Sequence, residues 1–247
     1  MTKAPNHTKC TNPKWEGRAD CEHCPIRKFD IFADVDLHKH EALLNRIDLY
    51  NYAKKSKLYV EGSPAIGMYI VRKGLLKLEA TLDDGTARIV RLVRKGELAG
   101  VESLLNNGQC FDQTAIALKD TEVCRVPYEV INGILTSDPG FNKSVLKEWH
   151  QQIEASDRVL VEYSTGTLRQ RCARVLLMLI DEANYEAKTG IEIMGTEDFA
   201  ALTGVTRESV SRVLSEFKRK KLLTKDGQNK FLFNEAGLRS IVESNSE

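Results

Sequence analysis

Apolar residues change their spacing twice along the chain, and these changes predict its elements. Between Ile31 and Asn51, four apolar residues recur at roughly helical spacing and predict a short helical entry: Leu37, Leu43, Leu44 and Ile47. Short β-rich runs separated by glycines then predict a small antiparallel barrel or jelly roll over residues 29–135. The runs are Leu58–Val60, Met68–Val71, Leu75–Leu78, Ile89–Val93 and Glu122–Val126. The Asp83-Asp84-Gly85 turn between two of them predicts a hairpin.

After Asp138-Pro139 the spacing becomes helical again and predicts a long dimerisation helix over residues 136–165. Six residues follow the steps of three and four that form the seam of a two-stranded coiled coil: Leu146, Trp149, Ile153, Ser156, Leu160 and Tyr163. A helix packed against its own domain is the alternative. Because the seam is narrow and its flanks are polar, we expect a homodimer.

Residues 166–247 predict a compact C-terminal domain with two short helices separated by a glycine. An amphipathic stretch from Leu168 to Ile180 carries Cys172 on its apolar face, so this thiol is expected to be buried. Thr196 is predicted to cap the next helix, which Gly204 ends, and Thr206 is predicted to cap the one after it. Two short helices around a glycine-containing turn are typical of a helix-turn-helix.

The second of these helices carries the candidate DNA-reading residues. Arg207, Glu208, Ser211 and Arg212 lie opposite its apolar face, near the end that enters the major groove. Arg can donate two hydrogen bonds to guanine, and Glu can accept one from cytosine N4. The runs around Asp226-Gly227 predict a hairpin wing, with Lys225 and Lys230 placed for phosphates.

Charge supports this interpretation locally rather than globally. The whole chain has a net charge of +1, whereas residues 203–230 hold eight Lys or Arg and three Asp or Glu, a net charge of +5. Such a cluster is typical of a phosphate-facing surface, although a solvated helix face is the alternative.

Composition excludes several classes of protein. The longest apolar run, Val175–Ile180, is far shorter than a membrane span, and the N-terminus lacks a secretory pattern. A cytoplasmic protein with no membrane partner is therefore expected. The sequence has no phosphate loop, dinucleotide fingerprint, zinc-protease signature or nucleophile motif, so we do not expect an enzyme.

Three of the six cysteines, Cys10, Cys21 and Cys24, lie in the first tenth of the chain. A cytosolic protein keeps its thiols reduced, so metal or redox chemistry is a better interpretation of residues 1–28 than a disulfide framework.

The order of these segments resembles the CRP/FNR superfamily of transcription regulators over nearly the whole chain. Within Val205–Arg212, Glu208, Ser211 and Arg212 match the E-x-x-S-R recognition helix of FNR-like members, while Arg207 stands where CRP-like members carry a guanine-reading arginine. The resemblance implies an α+β fold: an N-terminal antiparallel β-roll (a cyclic-nucleotide-binding-like jelly roll), a dimerisation helix and a C-terminal winged helix-turn-helix. It also implies a dimer on palindromic double-stranded DNA with TTGA-type or hybrid TGTGA-like half-sites, and RNA polymerase as a partner.

The resemblance also suggests what is sensed. Cys10, Cys21 and Cys24 resemble the N-terminal cysteine cluster of FNR-type oxygen sensors, and Cys124 matches the strand with the fourth ligand, which implies a [4Fe-4S] cluster responsive to oxygen or nitric oxide. The C-x10-C-x2-C spacing departs from the tighter FNR arrangement, and Cys110 is an alternative fourth ligand. Zinc, with His7 or His23 as possible substitutes, thiol redox chemistry and unligated cysteines remain open, as does a regulator of another small ligand or of none.

Cyclic AMP is not expected as the effector. Val101 stands where the family carries its ribose-binding acid, and Gln113 stands at the phosphate-binding arginine. Glutamine cannot supply the cation that a buried phosphate needs.

Overall fold

The computed structural model describes residues 12–29, 31–104, 110–184, 190–227 and 230–244. The chain folds into two compact units, Met1–Thr81 with Val90–Ala155, and Leu82–Ile89 with Ser156–Glu247. Within the described part of the chain, none of the helices has the length and apolarity that crossing a bilayer would require.

The first unit is built on an antiparallel β-roll, which confirms the predicted fold class. Its strands are β1 Lys14–Arg18, β2 Asp48–Tyr52, β3 Lys57–Tyr59, β4 Gly67–Lys73, β5 Leu76–Thr81, β6 Ala87–Val93, β7 Leu98–Ala99, β8 Thr114–Ala117 and β9 Thr121–Pro127. They form one sheet in the order β1-β2-β9-β4-β7 and another in the order β3-β8-β5-β6. The predicted turn between β5 and β6 is confirmed, because Gly85 adopts a φ of 81° there.

Two core clusters lie in this unit, on opposite faces of the five-stranded sheet. Because alternate residues of a strand point to opposite faces, β9 contributes Cys124 and Val126 to one cluster and Val123 to the other. The first cluster also takes residues of the N-terminal segment, such as Ile26 and Phe32. The second contains Phe111, whose ring stacks on Tyr59 with the centroids 3.8 Å apart.

The predicted helical entry over 31–51 is wrong over most of its length. The α-helix in it is the single turn α1, Glu41–Leu44, and the stretch from Asp48 onward forms β2. Strand pairing favours β-structure over a helix here, because β2 lies between β1 and β9 and satisfies its backbone hydrogen-bonding groups on both sides. Strands β1 and β8 were not predicted either.

Strand β1 lies at one edge of the five-stranded sheet, and its pairing with β2 shifts register between Trp15 and Gly17. Asp48 of β2 lies opposite Arg18 at the end of β1 on one side, and opposite Arg125 of β9 on the other. The Asp48 carboxylate accepts hydrogen bonds from Arg18 Nη1 at 2.8 Å, Arg125 Nη2 at 2.8 Å and Trp15 Nε1 at 3.2 Å. One nearly buried carboxylate therefore links three strands.

Two helices follow the roll, α2 Tyr128–Ser137 and α3 Phe141–Glu162, so the long helix predicted after Asp138-Pro139 is present. Leu146, Ile153 and Leu160 are exposed on α3 at intervals of seven residues, with relative accessibilities of 69, 57 and 64%. Trp149 instead packs against the first core cluster, Tyr163 is buried and Ser156 is partly buried.

In its described residues the second unit contains the end of α3, from Ser156 onward, and four complete helices: α4 Leu168–Asn184, α5 Thr196–Thr203, α6 Arg207–Arg219 and α7 Glu235–Glu243. Its strands β10 Ile191–Glu192, β11 Leu223–Lys225 and β12 Lys230–Phe233 pair in the order β10-β12-β11. Gly204 ends α5 with a φ of 71°, as predicted. Thr196 does not cap that helix, because Gly195 takes the capping position and Thr196 lies inside the first turn.

Candidate functional site

Helix α6 is held by one face and exposes the other. The Thr206 hydroxyl accepts a hydrogen bond from the Ser209 backbone N–H at 3.4 Å and so caps the helix, as the sequence predicts. Val210, Leu214 and Phe217 are buried at helical spacing. The four predicted reading residues are exposed together on the rest of its N-terminal half: Arg207, Glu208, Ser211 and Arg212.

The charged side chains on this face are exposed and make only local contacts. The pKa of the Glu208 carboxyl is lowered because its own backbone N–H and the Thr206 hydroxyl donate to it, with Arg207 and Arg212 nearby. Glu208 is therefore a carboxylate acceptor at neutral pH. Arg207 Nη1 contacts Glu197 Oε1 at 3.1 Å, but both side chains are exposed, so this ion pair is weak and exchangeable.

The hairpin of β11 and β12 forms the predicted wing. The Asp226 backbone N–H donates to the Lys230 carbonyl at 2.8 Å, and Gly227 turns with a φ of 79°. Lys225 and Lys230 are both exposed on this hairpin, while Phe231 and Leu223 are buried beneath it. The third strand, β10, was not predicted from the sequence.

A second candidate site lies in the first unit, where three of the proposed ligands line one small cavity. Its walls include Cys21, Cys24 and Cys124. Apolar side chains of Ile26, Phe32, Leu37, Ile47 and Ile70 form much of the remainder. Cys21 and Cys24 are partly exposed and Cys124 is buried, so a solvent-facing N-terminal segment meets a buried strand here.

Local hydrogen bonds fix the segment that carries Cys21 and Cys24. The Ala19 N–H donates to the Ile47 carbonyl at 2.9 Å, directly after β1, and the Arg27 N–H closes a turn on the Cys24 carbonyl at 3.2 Å. The Arg27 side chain also lines the cavity and donates from Nη2 to the Val35 carbonyl at 2.9 Å. Its Nε is buried and has no hydrogen-bond partner.

The thiols that share this cavity are not arranged as metal ligands in this structure. Across the described ranges of the chain, no three His, Cys, Asp or Glu side chains are grouped closely enough to hold a metal ion. Cys10 and His7 lie outside the described residues. Cys110 is not among the residues that line the cavity, and its neighbour Phe111 packs into the other core cluster. His23 is exposed and pairs with Asp20.

The residues near the positions expected to bind a cyclic nucleotide make contacts within the roll. Val101 is fully buried, and the Thr114 hydroxyl accepts a hydrogen bond from the Glu61 N–H at 3.1 Å. A side chain at Gly100 would collide with the Phe111 ring, because a Cβ atom at this position would lie 2.8 Å from that ring. These residues pack the roll rather than presenting charge to a phosphate.

Sequence reasoning missed Arg27, which lines the cavity with the thiols, and Asp48, whose carboxylate joins three strands of the roll. Neither belongs to a recognisable motif, and Asp48 lay in a segment predicted to be helical. The two tyrosines of Asp48–Tyr52, a residue type that is enriched in strands, were the available signal for a strand.

A capped helix with cations and a carboxylate facing outward, beside a lysine-bearing hairpin, defines a winged helix-turn-helix protein of the DNA-binding class. Residues 49–138 match the family model of the cyclic nucleotide-binding domain, and residues 170–241 match that of the Crp-like helix-turn-helix domain. The chain belongs to the CRP/FNR superfamily and is a transcription regulator of that type.

Relatives of this family align over nearly the full chain. The chain is 26% identical to the transcriptional regulatory protein btr of Bordetella pertussis, covering 92% of this chain and 95% of the relative. It is 22% identical to the fumarate and nitrate reduction regulatory protein of Vibrio cholerae, covering 92% of each. Among solved structures, a CRP-family transcriptional regulator from Thermus thermophilus superposes with a TM-score of 0.66 at 27% identity, covering 80% of this chain and 98% of that one.

Proposed function

We propose that the chain reads palindromic double-stranded DNA as a homodimer, inserting α6 of each copy into the major groove. The observation that carries this proposal is the joint exposure of Arg207, Glu208, Ser211 and Arg212 on the capped half of α6. The buried opposite face holds the helix as a rigid element, so its outward side chains can approach base edges together.

Each residue has a base-level role in the proposal. The Glu208 carboxylate accepts from cytosine N4, and an arginine donates to guanine O6 and N7. An acid facing phosphates would repel them, so its charged state on this surface favours base contact over backbone contact. Thr206, Lys225 and Lys230 bind phosphates and position the helix without selecting sequence. The half-site is TTGA-type or hybrid TGTGA-like.

Fluorescence anisotropy at fixed salt tests this with a palindromic duplex and a scrambled duplex of equal length. Glu208→Ala and Arg212→Ala should each lower the preference for the palindrome about tenfold or more. Arg239→Ala, on the exposed face of α7 and paired with Glu235, is the matched control and should leave the preference unchanged. Folded Glu208 and Arg212 variants that discriminate as well as the parent would refute the reading role.

The homodimer is proposed to form along α3. Leu146, Ile153 and Leu160 present an exposed apolar stripe with the seven-residue repeat of a coiled-coil seam. Sedimentation velocity should find the parent as a dimer and Ile153→Glu shifted to monomer, whereas Lys147→Glu on the flank should remain dimeric. A monomeric parent at the concentrations that bind DNA would contradict this stripe as the interface. RNA polymerase is a further proposed partner, on family grounds.

We further propose that the thiols hold a [4Fe-4S] cluster that senses oxygen or nitric oxide. Cys21, Cys24 and Cys124 share one cavity, which favours Cys124 over Cys110 as the fourth ligand, with Cys10 completing the set. Soft thiolates suit such a cluster, and the unpartnered Arg27 Nε–H offers a donor to an anionic centre. When bound, the cluster would supply reactivity toward the signal, while the chain's own role is to tie the N-terminal segment to β9.

An absorption spectrum with iron and sulfide assays on protein purified without oxygen tests the sensing proposal. Visible absorption lost on exposure to air, and absent in Cys24→Ala and Cys124→Ala, is expected. Cys110→Ala should retain it and is the matched control. A colourless, iron-free parent that contains zinc would favour a structural zinc site instead. One that contains no metal would favour a regulator of another small ligand.

A further inference from the structure

A polar groove in the second unit lies beside the proposed reading face of α6. Residues of α4, α6 and α7 line it, and Arg212, one of the four proposed reading residues, belongs to this lining. Arg169 of α4 and Lys220, which directly follows α6, line the same groove. Three cations therefore border a space that shares Arg212 with the surface proposed to face base edges.

Glu216 is the acid among the described residues of this lining, and it contacts two of the three cations. Its Oε2 accepts from Arg169 Nε at 3.0 Å and contacts Arg169 Nη2 at 2.9 Å, while its Oε1 contacts Lys220 Nζ at 2.9 Å. Arg212, Glu216 and Lys220 are spaced four residues apart, so they follow one side of the helix. The pKa of the Glu216 carboxyl is lowered because Lys220 donates to it and Arg169 lies nearby, so it is charged at neutral pH.

Structural support alone is a weak explanation for this carboxylate. Arg169 and Lys220 are 59 and 56% exposed, and ion pairs of such exposed cations contribute little to stability. Without Glu216, both cations would remain hydrated at the surface rather than buried without a partner. A carboxylate beside a DNA-binding surface also repels phosphates, and it neutralises cations that could otherwise bind them.

We propose that Glu216 attenuates the sequence-independent binding of DNA by holding Arg169 and Lys220 back from backbone phosphates. The proposal rests on the proposed function, because it requires α6 to face the duplex. It assigns the groove to the DNA backbone and gives an acid of α6 a role that base reading does not need. The cations then differ in role: Arg212 is available to bases, whereas Arg169 and Lys220 bind phosphate only by exchange with Glu216.

Fluorescence anisotropy of the full chain tests this role, with a palindromic TTGA-type duplex and a scrambled duplex titrated at several salt concentrations. The logarithm of the binding constant falls with the logarithm of salt concentration, with a slope of about 0.9 for each phosphate neutralised. Glu216→Gln releases two cations, so its slope should be steeper than that of the parent by about 1–2 per chain. Its affinity for both duplexes should rise roughly 10-fold at about 0.1 M salt. The ratio of the two affinities should not change, because the base contacts remain.

Glu235→Gln is the matched control for the loss of a negative charge. Glu235 belongs to the same unit and pairs with Arg239, which is itself exposed, but Glu235 does not line the groove. This variant also releases an arginine, and its salt slope should stay at the parent value. An equal rise in both variants would show a general effect of charge and would overturn the role of Glu216.

A second background separates attenuation from a purely structural role. A protein with both Arg169→Gln and Lys220→Gln lacks the cations that Glu216 holds, so adding Glu216→Gln to it should leave slope and affinity unchanged. A slope that steepens equally in both backgrounds would overturn the proposal, since the carboxylate would then act without the two cations. A Glu216→Gln protein that loses preference for the palindrome at an unchanged slope would also overturn it, because that result indicates a loosened α6.

The outcomes distinguish this inference from the reading role of α6. A parent that prefers the palindrome, with Glu216→Gln equal to it in slope and affinity, overturns the role of Glu216 and leaves base reading standing. A parent without that preference, whose slope still steepens in Glu216→Gln, overturns base reading and supports the groove as a site for the DNA backbone. A parent that binds neither duplex overturns both.

Discussion

Asp48 joins three strands of the roll through one carboxylate, and Asp48→Asn tests how much this junction contributes to stability. The carboxylate is 12% exposed and bonds Arg125 and Arg18, each at 2.8 Å, and Trp15. Asparagine keeps the shape but removes the charge and replaces one acceptor oxygen with an N–H₂ group. That group would face a guanidinium, which can only donate.

The expected cost follows from the exposure of each partner. Arg18 is 60% exposed, so its ion pair contributes at most about 0.5 kcal/mol. Arg125 is 29% exposed and also lies over the Tyr50 ring at 4.8 Å, so its charged hydrogen bond is expected to contribute about 1.5–3 kcal/mol. We expect Asp48→Asn to lower the free energy of unfolding by about 1.5–3.5 kcal/mol in total.

Urea unfolding followed by circular dichroism measures this difference, and hydrogen exchange locates it. The exchange of β1 amides should accelerate more than that of β4, because β1 pairs with a single neighbour. Asp36→Asn is the control: Asp36 is exposed and accepts backbone bonds that asparagine can also accept. An Asp48→Asn protein within about 0.5 kcal/mol of the parent would show that the two arginines find equivalent partners elsewhere.

Three further predictions concern single side chains. Glu148 is 4% exposed, and burial raises its pKa above 4.5 although the Leu98 N–H and the Gln152 amide donate to it. The contribution of Glu148 to the free energy of unfolding is therefore present at low pH and is lost as pH rises through the raised pKa. Glu148→Gln should accordingly gain stability relative to the parent between pH 4.5 and pH 8. A difference in urea midpoint between the two proteins that does not change with pH would contradict this. Burial raises the pKa of the Cys172 thiol to about 12. A maleimide at pH 8 should therefore label this thiol only after unfolding. Rapid labelling of the native protein, detected by mass spectrometry, would count against its burial. Thr206→Ala should destabilise the protein by about 1 kcal/mol through loss of the α6 cap, while Thr206→Ser should be nearly neutral; equal melting curves for the two would argue against capping.

Sequence patterns predicted the elements whose signals are local. Thr206 and Gly204 mark the ends of helices through their own chemistry, and the glycine at position 85 marks a turn, so these features could be predicted without knowledge of the rest of the chain. The exposed set Arg207, Glu208, Ser211 and Arg212 was accessible in the same way, because helical spacing alone separates it from Val210 and Leu214.

Features that depend on distant pairing were not predictable in this way. Strand β2 was interpreted as helix because Leu43, Leu44 and Ile47 set a helical spacing that pairing with β1 and β9 then ended at Asp48. Trp149 continued the apolar seam of α3 on sequence grounds, yet a large aromatic ring is also well suited to the core of the roll, where it packs. The meeting of Cys21 and Cys24 with Cys124 requires about a hundred residues of intervening fold, so spacing alone could suggest it only through resemblance.

The outer position of β1 bears on how this protein can be shortened. Lys14, Arg18 and the irregular pairing near Gly17 are features that discourage an outer strand from joining another molecule. The matched cyclic nucleotide-binding model begins at residue 49, inside β2. A fragment that begins at residue 49 would lose β1, and the backbone N–H and C=O groups along one side of β2 would then be left unpaired. We expect such a fragment to self-associate, whereas one that starts at residue 12 should stay dispersed.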